Sequence, residues 1–159
     1  MTTANDNRTE AISEYVTATI GGQLFGLPIA RVQDVFAPER LTRVPLAPVE
    51  IAGILNLRGR IVTAIDMRRR LGLPAREAGQ PSMAIGIEFE GESLGLLIDG
   101  VGEVLKLADS ERERNPVNLD RRLASVSAGV YRLDGQLLVI LDVDRVLETS
   151  TDAKPARAA

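Results

Sequence analysis

The chain has no cysteine, no histidine and no tryptophan among its 159 residues, and only two lysines, Lys106 and Lys154. Each absence closes a route. Without Cys or His there is no thiol nucleophile, no His-based triad, no phosphohistidine and no ordinary His/Cys zinc site. No glycine-rich G-x-x-x-x-G-K-[ST] loop precedes either lysine, so the chain has no phosphate loop for ATP, and no cofactor is expected. Apolar runs such as Leu137-Leu138-Val139-Ile140-Leu141 fall far short of the roughly 20 residues of a membrane span, so no direct membrane insertion is expected. The polar start Met1-Thr-Thr-Ala-Asn-Asp-Asn-Arg lacks the apolar segment of a secretory signal, and with no cysteine for an oxidising compartment to use, a cytoplasmic location is expected. Aromatic residues are scarce, at three Phe and two Tyr, and the net charge is -3. A nucleic-acid binder ordinarily carries the reverse balance and a platform for stacking bases, so no nucleic-acid partner is expected.

What is present is β-forming. With 45% hydrophobic residues the chain can bury a core as one compact domain or two small interlocked lobes. Residues 1–13 and 149–159 are polar and without apolar period and read as flexible tails, leaving 14–148 as the folded part. Tyr15 to Ile20 is rich in strand formers and runs into Gly21-Gly22, a hairpin turn leading to Leu24-Phe25-Gly26-Leu27. The spacing in Ala30 to Phe36 fits a strand or a single helical turn. Gly53 to Ile65 reads as two short strands around a tight turn at Arg58-Gly59. Asp66 is placed to cap a short helix beginning at Met67, which Gly72 and Pro74 end.

The chain also matches itself. At an offset of 69, Gly22, Gly26, Leu27, Ile29, Val32 and Val35 recur as Gly91, Gly95, Leu96, Ile98, Val101 and Val104, with Asp34 answered by Glu103. At an offset of 76, Gly53, Leu57, Gly59, Asp66, Arg69 and Leu71 recur as Gly129, Leu133, Gly135, Asp142, Arg145 and Leu147. The approximate copies are 15–72 and 82–148, joined by a Pro- and Gly-containing connector at 73–81. The second copy is seven residues longer, within 105–127, a polar stretch that reads as a loop or a ragged short helix. About five strands per copy, each set closed by a D-x-x-R-x-L helical turn, predict an all-β fold of two five-stranded barrels sharing one apolar seam, because closure removes exposed edges.

Differences between the copies point to function, since positions serving only the fold should agree. Copy two has Asp134-Gly135 at its hairpin tip, suited to a type I′ turn, whereas copy one has Arg58-Gly59, and Arg is a poorer turn former. Arg58 either points into solvent from a different turn type, packs its stem over the barrel, or presents an exposed guanidinium to a carboxylate or backbone carbonyls of a partner. The run Arg68-Arg69-Arg70 reads as a solvated helix face. Val32, Val35, Val101 and Val104 are core positions by spacing, some of which could line a groove between lobes. Asp66 and Asp142 share one capping context and read as caps rather than a catalytic pair. Asp34 and Glu103 read as surface charges, there being no nucleophile or metal partner in view. No catalytic residue is assigned.

The segment Asn56-Leu57-Arg58-Gly59, with Ile61, Val62, Ile65, Asp66, Met67 and Arg68, resembles the N-L-R-G-x-[IV]-[IV]-P-[IV]-[IV]-D-[LM]-R signature of CheW-type chemotaxis coupling proteins, departing from it at Thr63 and Ala64. Phe25 to Val35 and Gly95 to Leu105 are similar to two further segments of that family, and the likeness runs from about Tyr15 to Leu147. The resemblance implies two SH3-like five-stranded barrels. It also implies a non-catalytic adaptor that bridges the cytoplasmic tip of a methyl-accepting chemoreceptor to the regulatory domain of the histidine kinase CheA, at membrane-associated receptor arrays. The family's binding positions carry over to Val32, Asp34, Gly53, Arg58, Val101 and Val104, with Asp34 one methylene shorter than the family's usual Glu. With no His for a phosphotransfer domain and too little chain in the tails for a receiver domain, a freestanding coupler is expected. A small-barrel nucleic-acid binder is the alternative, and a carboxylate-based hydrolase built on the acid pairs a third.

Overall fold

The computed structural model describes residues 10–152. Ten strands form two five-stranded sheets. The strands are β1 (Ile12–Ile20), β2 (Gln23–Pro28), β3 (Asp34–Phe36), β4 (Ile51–Leu57), β5 (Arg60–Asp66), β6 (Met83–Phe89), β7 (Glu92–Ile98), β8 (Gly100–Ala108), β9 (Ser127–Leu133) and β10 (Gln136–Leu141). Three helices accompany them: α1 (Met67–Arg70), α2 (Arg121–Ser125) and α3 (Val143–Asp152).

Sheet A has the order β8-β1-β2-β10-β9 and sheet B the order β3-β6-β7-β5-β4. The fold class is the expected one, but the repeat unit is not the barrel unit. Each sheet takes strands from both copies, two from one and three from the other. Four pairings join the copies: β1 with β8 and β3 with β6, both antiparallel, and two parallel ones, Leu138–Ile140 of β10 against Leu24–Gly26 of β2 and Thr63–Asp66 of β5 against Leu94–Leu97 of β7. Each chain copy begins in one sheet and crosses to the other, so both sheets are unfinished until the second copy arrives. Isolated bridges at equivalent places, Thr42 to Ile54 and Glu113 to Val130, fold the segments after β3 and β8 back over β4 and β9.

The apolar seam is real and is the main core. It draws Ile20, Phe25, Leu27, Val130 and Val139 from sheet A, Ile65, Ile85, Ile87, Leu96 and Ile98 from sheet B, and Val146 and Leu147 from α3. Smaller clusters belong to one sheet each: Leu55, Val62, Ala64, Ala84 and Leu97 in B, and Tyr15, Tyr131, Leu138 and Ile140 in A. That arrangement explains why Tyr15 to Ala18 are buried in succession rather than alternately. A strand packed on both faces needs apolar or small residues throughout. Fully burying one Leu or Ile contributes about 1.5–3 kcal/mol, so the shared seam ties the lobes together strongly.

Several local expectations need correction. Strand pairing begins at Ile12, opposite Ala108, inside the 1–13 segment read as a tail, and α3 extends to Asp152, inside the segment read as the other tail. Residues 1–9 and 153–159 lie outside the described residues. The polar 105–127 stretch begins as strand, because β8 runs to Ala108 along β1; then follow a 3₁₀ turn at Asp109–Glu111 and, after Asp120 as cap, α2. The hairpin tips reverse the expected chemistry: Arg58 (φ 53) and Gly59 (φ 84) both take the left-handed region, whereas in copy two Gly135 does so and Asp134 does not.

Candidate partner-binding surface

Arg58 sits at the β4–β5 tip in a conformation that costs most residues about 1–2 kcal/mol. Asn56 makes the turn feasible, its side-chain Oδ1 accepting the Gly59 amide at 2.8 Å. Copy two has Arg132 in place of Asn56 and cannot make that bond. The turn holds the Arg58 side chain out in solvent, 77% exposed, with its guanidinium 3.8 Å from the carboxylate of Asp34. β3 and β4 are opposite edges of sheet B, so this approach reports how far the sheet curls. Asp34 is not the plain surface charge expected. It is half-buried opposite Gly86, where any Cβ would collide with its Oδ1, so the small residue makes room for the acid.

Glu103 is exposed, and its counterpart role is carried by its backbone. The Thr17 hydroxyl donates to the Glu103 carbonyl at 2.7 Å, inside an irregularity where Val16 pairs with Val104 but Ala18 with Val101. That bulge divides the two valines. Val101 packs partly against the shared core, while Val104 turns outward and is 46% exposed, as is Val35, its repeat counterpart, at 39%. Val32 follows a 3₁₀ turn at Ile29–Arg31 and, like Val101, rests half-buried against the shared core. Asp34 and Arg58 therefore come together on sheet B, whereas Val101 and Val104 lie on β8, the edge of sheet A, and Val32 on the crossover between sheets.

Gly53 has a backbone duty. It is buried at φ 152, and a Cβ there would strike the Thr42 carbonyl. Gly129, its repeat counterpart, has φ 135, and a Cβ there would meet the Arg112 side chain at 2.9 Å and the Glu113 carbonyl at 3.0 Å, a looser approach than at Gly53. The two glycines admit the two bridges described above. Asp66 caps α1, accepting the Arg68 amide at 3.0 Å, and Asp142 accepts the Arg145 amide at 3.3 Å, as their shared context predicts. Neither Asp34 nor Glu103 lines the cleft of about 880 Å³ between the 38–49 loop and Asp66, Arg69 and Arg76.

The CheW-like domain family matches residues 14–151. The chain belongs to that family. Among its CheW-like relatives, the chemotaxis protein CheW of Rhizobium meliloti is 27% identical over 92% of this chain and 94% of that protein. The chemotaxis protein CheW of Bacillus subtilis is 28% identical over 91% and 94%. The crystal structure of the scaffolding protein TtCheW from Thermoanaerobacter tengcongensis superposes with a TM-score of 0.72 at 29% identity, covering 82% of this chain and 89% of that one. Adaptor and scaffold work in chemotaxis is thus the family's setting. Among the described residues no helix is long and apolar enough to cross a membrane.

One cluster in this CheW-like chain was not singled out from sequence. Asp99 stands where β7 of sheet B passes into β8 of sheet A. It accepts from Arg68 Nε at 3.0 Å and Nη2 at 2.8 Å, from Arg76 Nη2 at 2.8 Å, and from the Gly21 amide at 2.7 Å. Burial alone would raise its pKa, but the bonds from Arg68, Gly21 and Arg76 outweigh burial and hold it at about 2; Arg68 is raised in turn by its bond to Asp99. The Arg68-Arg69-Arg70 run is therefore no solvated face. Arg70 donates to the carbonyls of Val146 and Arg145 on α3, and its pKa is lowered by burial; only Arg69 is exposed. The helix is short and lodged at the junction of the sheets, so two of its three arginines point inward. Ala30 answers Asp99 in the other copy, a difference that could have flagged it.

Proposed function

We propose that this CheW-like chain is a non-catalytic adaptor that couples chemoreceptors to the histidine kinase CheA in chemotaxis signalling, working in the cytoplasm at membrane-associated receptor arrays. The observation that carries the reading is Arg58. A strained, solvent-facing arginine beside a half-buried acid makes sense as a recognition device and adds little to the fold, since exposed pairs of this kind contribute at most about 1 kcal/mol. A guanidinium so held is ready to donate to carbonyls or a carboxylate on a receptor hairpin or on the kinase regulatory domain. Val104, together with the half-buried Val32 and Val101, supplies the apolar part of a partner footprint. Gly53 contributes by shaping the backbone beneath it.

Binding of the purified chain to a CheA regulatory domain and to a receptor cytoplasmic hairpin tests the reading. Arg58→Asp should weaken at least one of the two tenfold or more with the thermal midpoint nearly unchanged. If Arg58→Asp unfolds the protein, or leaves both partners bound as before, Arg58 is not a recognition residue.

A further inference from the structure

The chain crosses between sheets twice, and each crossing is tied to a helix by an Arg–Asp pair, with the charges in opposite order and the two crossing residues one position out of step in the repeat. At the crossing from β7 to β8, Asp99 is held by Arg68 of α1. Position 68 corresponds to 144 in the repeat, and position 99 to Ala30, next to Arg31. At the crossing from β2 to β3, Arg31 is held by Asp144 of α3, Arg31 Nη1 to Asp144 Oδ1 at 2.9 Å. The arginine has moved from helix to crossing, and the acid from crossing to helix.

The two bridges differ greatly in strength. Asp99 and Arg68 are 19% and 14% exposed, and Asp99 has Arg76 and the Gly21 amide as further donors. Arg31 and Asp144 are 32% and 61% exposed and share one contact. Solvent screening leaves such an exposed pair weak, whereas the multiply bonded acid is fixed. The rest of the first crossing is lightly held as well. The Val32 amide bonds the Ile29 carbonyl at 3.1 Å, the Gln33 amide bonds Gly86 at 2.8 Å, and the Gln33 side chain makes an exposed contact with Glu88 at 3.1 Å. Ile29 itself is 40% exposed. Large motion of one lobe against the other is prevented by the shared core, so release stays local.

We infer that residues 29–33 form a strap, latched by the Arg31–Asp144 pair, that opens locally and uncovers Val32 while the Asp99 crossing stays closed. Where Val32 is a partner contact, which rests on the proposed adaptor function, the latch sets how readily that contact is offered. Rigid fastening at one crossing and a weak one at the other makes the two halves of a near-symmetric fold unequal in dynamics as well as in sequence.

Amide hydrogen exchange on the free, full-length protein tests the strap without any partner, so its outcome is separate from that of the binding experiments. Arg31→Gln and Asp144→Asn should each speed exchange at the Val32 and Gln33 amides by about two- to five-fold, the range expected for loss of one exposed pair. The double variant should exchange no faster than either single one, because both act through one bond. Raising salt from about 0.05 M to about 0.5 M should speed the same amides in wild type and leave the Asp99 amide, bonded to Thr19, unmoved. Unchanged exchange in the single variants, additive effects in the double, or acceleration spread evenly over both crossings would overturn the latch.

Discussion

The Arg58 guanidinium lies 3.8 Å from the Asp34 carboxylate although the two residues belong to opposite edges of one sheet. Their approach depends on the curl of sheet B, on Gly86 leaving space for Asp34, and on Asn56 bonding the Gly59 amide so that Arg58 can take φ 53.

Because Arg58 occupies a conformation that Asn tolerates better, Arg58→Asn should stabilise the protein by a few tenths to about 1 kcal/mol while weakening partner binding. Urea denaturation beside a binding titration checks both halves. A loss of stability would mean that the arginine stem packs on the sheet more than its exposure indicates.

Asn56→Ala removes the acceptor for the Gly59 amide. A cost of about 1 kcal/mol is expected, with binding reduced as severely as by Arg58→Ala because the tip loses its shape. Arg132→Ala at the matching place in copy two breaks an exposed pair with Glu113 and should change stability by less than about 0.5 kcal/mol.

How much of this could be read from the chain depends on range. The hairpin at Gly21-Gly22, the strands around Arg58-Gly59 and both Asp caps are local and followed from residue type and spacing. The strand exchange was hidden, because a repeat establishes which segments are equivalent but not which of them pair. Arg68 and Arg70 misled for the same reason: a run of three arginines looks solvated until the partners at Asp99 and on α3, some 30 and 75 residues further on, are known. Among the candidate residues, Gly53 was legible as important, but its task became clear only with Thr42 lying against it.

Gly53→Ala should destabilise the fold by about 2 kcal/mol or more, since it combines a left-handed φ with a Cβ driven into the Thr42 carbonyl, and Gly129→Ala by less, its φ being equally strained but its Cβ meeting the Arg112 side chain and the Glu113 carbonyl less closely. Thermal unfolding of both variants checks this. If Gly53→Ala folds with wild-type stability and loses only binding, the glycine serves the partner directly.

Asp99 links stability to acid. Its folded pKa is about 2, below the ordinary 3.8, so the carboxylate stabilises the fold at every pH above about 4. That contribution fades as pH falls through 4 toward 2 and is worth about 2 kcal/mol in full. Asp99→Asn should therefore lower stability at pH 7 by at least about that amount, and its stability should fall less than that of wild type between pH 5 and about 2.5. Urea midpoints of the two proteins across this range measure the difference.

The most direct test of the adaptor function is co-sedimentation of the chain with both a CheA regulatory domain and a receptor cytoplasmic hairpin, wild type beside Arg58→Asp. Coupling requires that wild type carry the kinase domain into the receptor pellet and that Arg58→Asp, folded and equally stable, fail to do so. Recovery of the kinase domain with receptor to the same extent whether wild type, Arg58→Asp or no CheW-like chain is present would contradict it.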